Sequence, residues 1–196
     1  MIKNKKNNLI LIYTGSGKGK TSASLGLAWR ALRDNMKVIM VQFIKSERES
    51  GEVELKKIMP QFEIKCFGVG FVNAPVCHPR TTFCHPRESE DPVDFKKHKV
   101  QSQNGIIFAK HLLKSKKHDV IILDEILVSL DLKLLKLADI IDLIKEFRKN
   151  DKKMFLVLTG RGCPKSLYNY ADLITEMKEI KHPFQKGIMA IKGVDY

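Results

Sequence analysis

No stretch of this 196-residue chain runs apolar for the roughly 18 residues that a membrane-crossing helix needs, so the sequence offers no helical span. Cysteine is scarce: the four residues Cys66, Cys77, Cys84 and Cys163 are expected to stay reduced, and no disulfide framework is implied. Aromatic residues make up 8% and do not interleave with the lysines in the manner of a base-stacking platform, which argues against a nucleic-acid surface. The opening residues Met1 to Asn8 are basic and polar, and no signal-type apolar core with a small-residue cleavage site follows them. A cytoplasmic location is the expectation, with neither membrane nor nucleic acid as a partner.

Negative charge is also in short supply. Asp and Glu number 22 against 35 Lys and Arg, a net charge of +13, and such a surface attracts polyanions or phosphorylated substrates. The lysines are spread along the chain at element ends and on polar helix faces, the pattern of solvated surface. With 43% hydrophobic residues the chain can bury one sizeable core. A single domain over residues 1–196 is expected, with 68–92 an irregular flap or loop carrying Pro75, Pro79, Pro86 and Pro92.

Strand-length apolar runs alternate with helix-length amphipathic segments. Strands are predicted at Leu9–Tyr13, Lys37–Phe43, Phe62–Phe67, Val120–Leu123, Met154–Leu158 and Ile188–Ile191. Helices are predicted at Lys20–Leu32, Gly51–Met59, Val93–Lys114, Leu134–Phe147 and Lys165–Tyr170. Continuous apolar strands separated by helices imply an α/β fold, with a mostly parallel sheet and helices on both faces. Such sheets carry ligands at the carboxyl ends of their strands, and here the polar motifs follow strands: Thr14–Thr21, Gln42–Lys45, Asp124-Glu125 and Thr159-Gly160-Arg161.

The first of these motifs joins a strand to a helix. Its glycines let backbone N–H groups curl around an anion, and the helix N-terminus adds the positive end of its dipole. Lys20 adds a point charge for phosphate, and Thr21 offers a hydroxyl to Mg²⁺. Thr14 stands where the general phosphate-loop pattern has glycine. Asp124 and Glu125, closing an apolar strand, are candidates to hold the metal, and Arg161 is a candidate to grip phosphate oxygens.

The ordered series YTGSGKGKT (Tyr13–Thr21), LGLAWRA (Leu25–Ala31), VQFIK (Val41–Lys45), Gly51-Glu52, LDE (Leu123–Glu125), LTGRG (Leu158–Gly162), ADLITEM (Ala171–Met177), IKH (Ile180–His182) and GIMAIKGVDY (Gly187–Tyr196) resembles the P-loop ATP:corrinoid adenosyltransferases of the cobalamin pathway. The resemblance implies a recombinase-like P-loop NTPase fold, a homodimer, Mg²⁺ or Mn²⁺ as cofactor, and ATP and a reduced corrinoid as substrates. It also implies that Gly15, Ser16, Gly17, Lys18, Gly19 and Lys20 cradle the triphosphate, with Ser22 beside them, that Thr21 and Glu125 ligate the metal, and that Arg30 lies by the nucleoside. The implied reaction is attack of Co(I) on C5′ of ATP with release of intact triphosphate, for which Lys20, Thr21 and Glu125 are the catalytic candidates. A flavodoxin-like reductase is the implied electron donor.

Two departures fall on the side expected to face the corrinoid. Asn73 stands where the family often has an aromatic residue, leaving Phe71 as the packing candidate, and Leu127 stands where an Asn is frequent. The flap repeats Cys-His-Pro-Arg, so that Cys77, His78, Cys84 and His85 read as a Zn site, as a stiff flap whose arginines face anions, or as a plain surface loop. Two other functions fit a phosphate loop: a recombinase-like ATPase acting on or regulated by nucleic acid, and a small-molecule kinase.

Overall fold

A computed structural model describes residues 8–46, 51–55, 59–69 and 93–188. Six strands form one wholly parallel sheet: β1 (Leu9–Thr14), β2 (Val38–Gln42), β3 (Phe62–Cys66), β4 (Val120–Asp124), β5 (Phe155–Thr159) and β6 (Leu173–Glu176), in the order β3-β2-β4-β5-β1-β6. Among the described residues they are accompanied by the α-helices α1 (Lys20–Arg33), α2 (Val93–Ser115), α3 (Ile126–Asp131) and α4 (Leu137–Arg148).

The two residue sets of each strand build the two cores. Ile10, Ile12, Ile121, Leu123, Leu156 and Leu158 face a layer containing Leu113, Ile140, Leu143, Ile144 and Phe147 of α2 and α4. Leu11, Tyr13, Val38, Met40, Val120, Ile122 and Val157 face the other way, where Ala28, Ala31 and Leu32 of α1 pack on them. Burial of a side chain such as Phe147, at 0% exposure, contributes about 2–3 kcal/mol.

Several boundaries differ from the sequence reading. The helix predicted from Leu134 begins at Leu137, because Lys133 takes a left-handed φ of 59° and the amides of Leu134 and Leu135 both bond the Ser129 carbonyl. Leu134 and Leu135 are buried all the same, so a turn imitated the helical stripe. Helix α3 and strand β6 were not anticipated. β6 pairs with β1 at the sheet edge and is largely exposed, so its apolar signal is weak. The short helix expected at Lys165–Tyr170 is a 3₁₀ helix; of the one expected at Gly51–Met59, Gly51–Glu54 is 3₁₀ and residues 56–58 lie outside the described residues. The predicted Ile188–Ile191 strand lies, beyond Ile188, outside the described residues, as do Phe71, Asn73 and the Cys77–His85 repeat. No described helix is long and apolar enough to cross a membrane.

The order places β5 between β1 and β4. The phosphate-loop strand and the acidic strand are therefore one strand apart, and whatever joins them chemically must come from the end of β5 or from α1.

Candidate active site

The turn after β1 is held open from behind. Gly15 and Gly19 take φ of 106° and 103°, and a Cβ on Gly15 would come within 2.3 Å of the Met177 carbonyl oxygen. Glycine is required there on both counts. The Met177 amide donates to the Thr14 carbonyl at 2.8 Å, and the Gly17 amide donates to the Met177 carbonyl at 2.7 Å, so the chain leaving β6 straps the loop. Thr14, the residue that replaces a pattern glycine, is buried, and its Oγ1 accepts the Cys163 amide at 3.4 Å.

Lys20 opens α1 and folds back over the loop. Its Nζ donates to the carbonyls of Gly15 at 2.9 Å and Gly17 at 2.6 Å. Burial pulls its pKa below the usual lysine range, helped by the Arg161 guanidinium and opposed by Glu125 and Asp124. A partly desolvated ammonium held by carbonyls is poised to exchange those acceptors for phosphate oxygens.

Next to Lys20, Thr21 Oγ1 donates to Asp124 Oδ1 at 3.0 Å. The same oxygen accepts Thr159 Oγ1 at 2.7 Å, and Gln42 Nε2 reaches Asp124 Oδ2 at 3.3 Å. Thr159, on the intervening strand, also accepts the Glu125 amide at 3.0 Å. Glu125 sits at a left-handed φ of 59°, a conformation that costs a non-glycine residue about 1 kcal/mol or more. Its carboxyl is pushed up to about 7 by burial and by the neighbouring Asp124 carboxylate, against the pull of Lys20, Lys45 and Arg161. Lys45 is ion-paired with Glu52 at 2.9 Å. Burial works against its charge, but Asp124, Glu52 and Glu125 outweigh burial and hold its pKa above the usual lysine range.

The structure thus brings Lys20, Thr21, Asp124 and Glu125 together at the strand ends, with Arg161 near enough to act on Lys20 and Glu125. Ser16, Lys18 and Ser22 are exposed around the loop. Arg30 is three turns along α1, about 15 Å of helix rise from Lys20; it influences the Tyr13 hydroxyl and lines a 260 Å³ cavity with Leu27 and Phe155. Leu127 is fully buried in the α2–α4 core and presses on Gly160, so its side chain does not line a substrate surface. Gln42, Lys45, Thr159 and Met177 were not named individually as site residues. The first three stand in strand-end motifs that sequence did mark, but nothing in a sequence says that they converge on Asp124 and Glu125.

Fold and loop together place the protein among recombinase-like P-loop nucleotide-binding proteins. Within that class the chain belongs to the ATP:corrinoid adenosyltransferase BtuR/CobO/CobP family, whose family model matches residues 6–196. It is 31% identical over 196 residues to a corrinoid adenosyltransferase of Sinorhizobium sp., covering 99% of this chain and 83% of the relative. The corrinoid adenosyltransferase of Escherichia coli K12 is 30% identical over 192 residues, with 97% of this chain and 87% of the relative covered. Among solved structures, the flagellar accessory protein FlaH from Methanocaldococcus jannaschii superposes with a TM-score of 0.51 at 15% identity, over 87% of this chain and 71% of FlaH, a likeness of fold alone.

Proposed function

We propose that the protein transfers the 5′-deoxyadenosyl group of ATP to the Co(I) of a corrinoid, releasing triphosphate, in cobalamin biosynthesis or salvage. Membership of the adenosyltransferase family over nearly the whole chain supports this reading, and so does a strand-end site built for a polyphosphate. The observation that carries it is Lys20 folded over the glycine loop beside the Thr21–Asp124 pair. In the reaction a cobalt–carbon bond forms at C5′ and the C5′–oxygen bond breaks. Cobalt supplies the electron pair of the new bond, and the pair of the broken bond leaves with the triphosphate. Cobalt being the nucleophile, the protein needs no base; it must fix C5′ and stabilise the departing charge.

Lys20 and the amides of the glycine loop bind the triphosphate, and Arg161 adds a second cation. Thr21 and Glu125, with Asp124 adjoining, offer one hydroxyl and two carboxylates, hard oxygen donors that suit Mg²⁺ or Mn²⁺ completed by phosphate oxygens and water. Bound there, the ion would neutralise part of the leaving charge. Phe71 is the residue assigned to packing against the corrinoid, and Arg30 to the nucleoside. The protein is further read as a single-domain, cytoplasmic homodimer that takes its electron from a flavodoxin-like reductase.

Anaerobic incubation with Mg-ATP and a chemically reduced corrinoid tests the reading. An organocobalt spectrum and one equivalent of triphosphate are expected. Orthophosphate or ADP without alkylated cobalt would contradict it and point to the ATPase or the kinase.

A further inference from the structure

Every residue of β2 is fully buried, and Val38, Ile39, Met40 and Val41 are apolar; Gln42 ends the strand at 0% exposure. A buried amide is a cost unless its hydrogen bonds are made, and an apolar side chain would serve packing better. Strand pairing does not call for it: the backbone already joins β2 to β4 through the Phe43 amide on the Asp124 carbonyl at 3.0 Å, and to the segment after β3 through the Phe67 amide on the Gln42 carbonyl at 2.8 Å.

The side chain instead links the ends of three neighbouring strands. In register, Gln42 lies opposite Cys66 on one side and Asp124 on the other. The Cys66 thiol donates to Gln42 Oε1 at 3.3 Å, and Gln42 Nε2 donates to Asp124 Oδ2 at 3.3 Å. Chemistry fixes which way the amide points. A carboxylate only accepts, so turning the amide over would set oxygen against oxygen at Asp124. Asp124 then has Oδ2 tied to β2, and Oδ1 tied to Thr159 on β5 and Thr21 on α1. Held in this way the carboxylate cannot rotate, and it keeps the Thr21 hydroxyl proton turned toward itself. The oxygen lone pairs of Thr21 remain for a ligand.

We propose that Gln42 is a positioning residue of the nucleotide–metal site, acting through Asp124 on the Thr21 hydroxyl, with the carboxylate setting the sense of the amide and the Cys66 thiol bonded to its oxygen. The assignment rests on the reading of Thr21 and Glu125 as ligands of a divalent ion brought with ATP. Partners that orient a metal ligand are worth about 10–100-fold in metal affinity.

Calorimetric titration of the full chain with ATP, without corrinoid, in excess Mg²⁺ and in EDTA, tests it. For Gln42→Leu we expect the gain in ATP affinity conferred by Mg²⁺ to fall about tenfold, while affinity in EDTA stays at the wild-type value. Gln42→Met takes its place if the Leu variant does not fold. Asp124→Asn alone sets an amide against the Gln42 amide and loses the Mg²⁺ gain. Gln42→Glu combined with Asp124→Asn restores an acceptor opposite a donor, leaves the side-chain oxygen at position 124 for Thr21 and Thr159, conserves charge, and should recover most of the gain. A wild-type Mg²⁺ gain in Gln42→Leu, an equal loss with and without Mg²⁺, or a double variant no better than Asp124→Asn would each overturn the assignment. A wild-type protein that binds ATP with no Mg²⁺ gain would instead remove the metal reading beneath it.

Discussion

The two ends of the sheet use buried polar residues in opposite ways. At the amino ends of the strands they pin backbone. Asn8 Nδ2 donates to the Asn150 carbonyl at 2.8 Å, Asn8 Oδ1 accepts the Met154 amide at 3.0 Å, and Asn150 Nδ2 donates to the Leu113 carbonyl at 2.9 Å. Beside them the exposed Arg148 donates to the Tyr170 carbonyl at 2.8 Å and to Asp172 at 2.7 Å. At the carboxyl ends two carboxylates lie side by side, a lysine is bonded to the carbonyls of its own loop, and Glu125 and Gly15 hold left-handed backbone. The first set spends its polarity on stability. The second keeps like charges and unrelaxed groups together, a poor arrangement for an empty protein and a suitable one for a protein that receives a polyanion and a cation.

Lys20→Ala should widen the contrast most: a loss of turnover of about 100-fold or more, typical of removing a fixed donor to developing charge, with little change in melting temperature. Steady-state kinetics and a thermal melt read both. Gly15→Ala drives a Cβ into the Met177 carbonyl and asks alanine to hold a φ of 106°. It should cost about 3 kcal/mol and remove ATP binding, so that here the two ends respond alike. Chemical denaturation and ATP titration measure the two losses.

Glu125→Gln should separate the ends by sign. The folded carboxyl titrates at about 7 against an ordinary value of 4.5, so the native state holds that proton more tightly than the unfolded chain does. The resulting destabilisation is absent below about 4.5, grows as pH rises toward 7 and is constant above. Glu125→Gln should therefore be more stable than wild type at pH 8, by up to about 3 kcal/mol, with the gap closing in acid, while the Mg²⁺ gain in ATP affinity disappears. In the wild-type protein that gain should grow as pH rises through about 7, because the metal takes the ionised carboxylate. Denaturation curves across pH settle the first point and calorimetry the second. Asn8→Ala should be the mildest: about 1–2 kcal/mol of stability, from the Asn150 carbonyl and Met154 amide it leaves unpaired, and unchanged turnover. A drop in turnover there would erase the distinction between the ends.

The same contrast explains what could be read from sequence. Runs such as VIIL before Asp124 and LILIY before the glycine loop are apolar because parallel strands are buried on both faces, so strand positions and the polar residues following them were legible. Lys20, Thr21 and the acidic pair were legible for the same reason. Convergence was not. Thr159 meets Asp124 only because β5 lies between β1 and β4, and Met177 braces Gly17 only because β6 pairs with β1 on the other side. Both depend on strand order, which no local pattern encodes. Nor could sequence say that Leu127, a departure from the family pattern, is packed in the core beneath Gly160.

Crystals soaked with ATP and Mn²⁺ put the central claim to its most direct test, because the anomalous signal of manganese locates the ion independently of the protein. Triphosphate should run along Gly15 to Lys20, with manganese bound by the Thr21 hydroxyl and the Glu125 carboxylate. Nucleotide seated elsewhere, or an ion that touches neither residue, would contradict it.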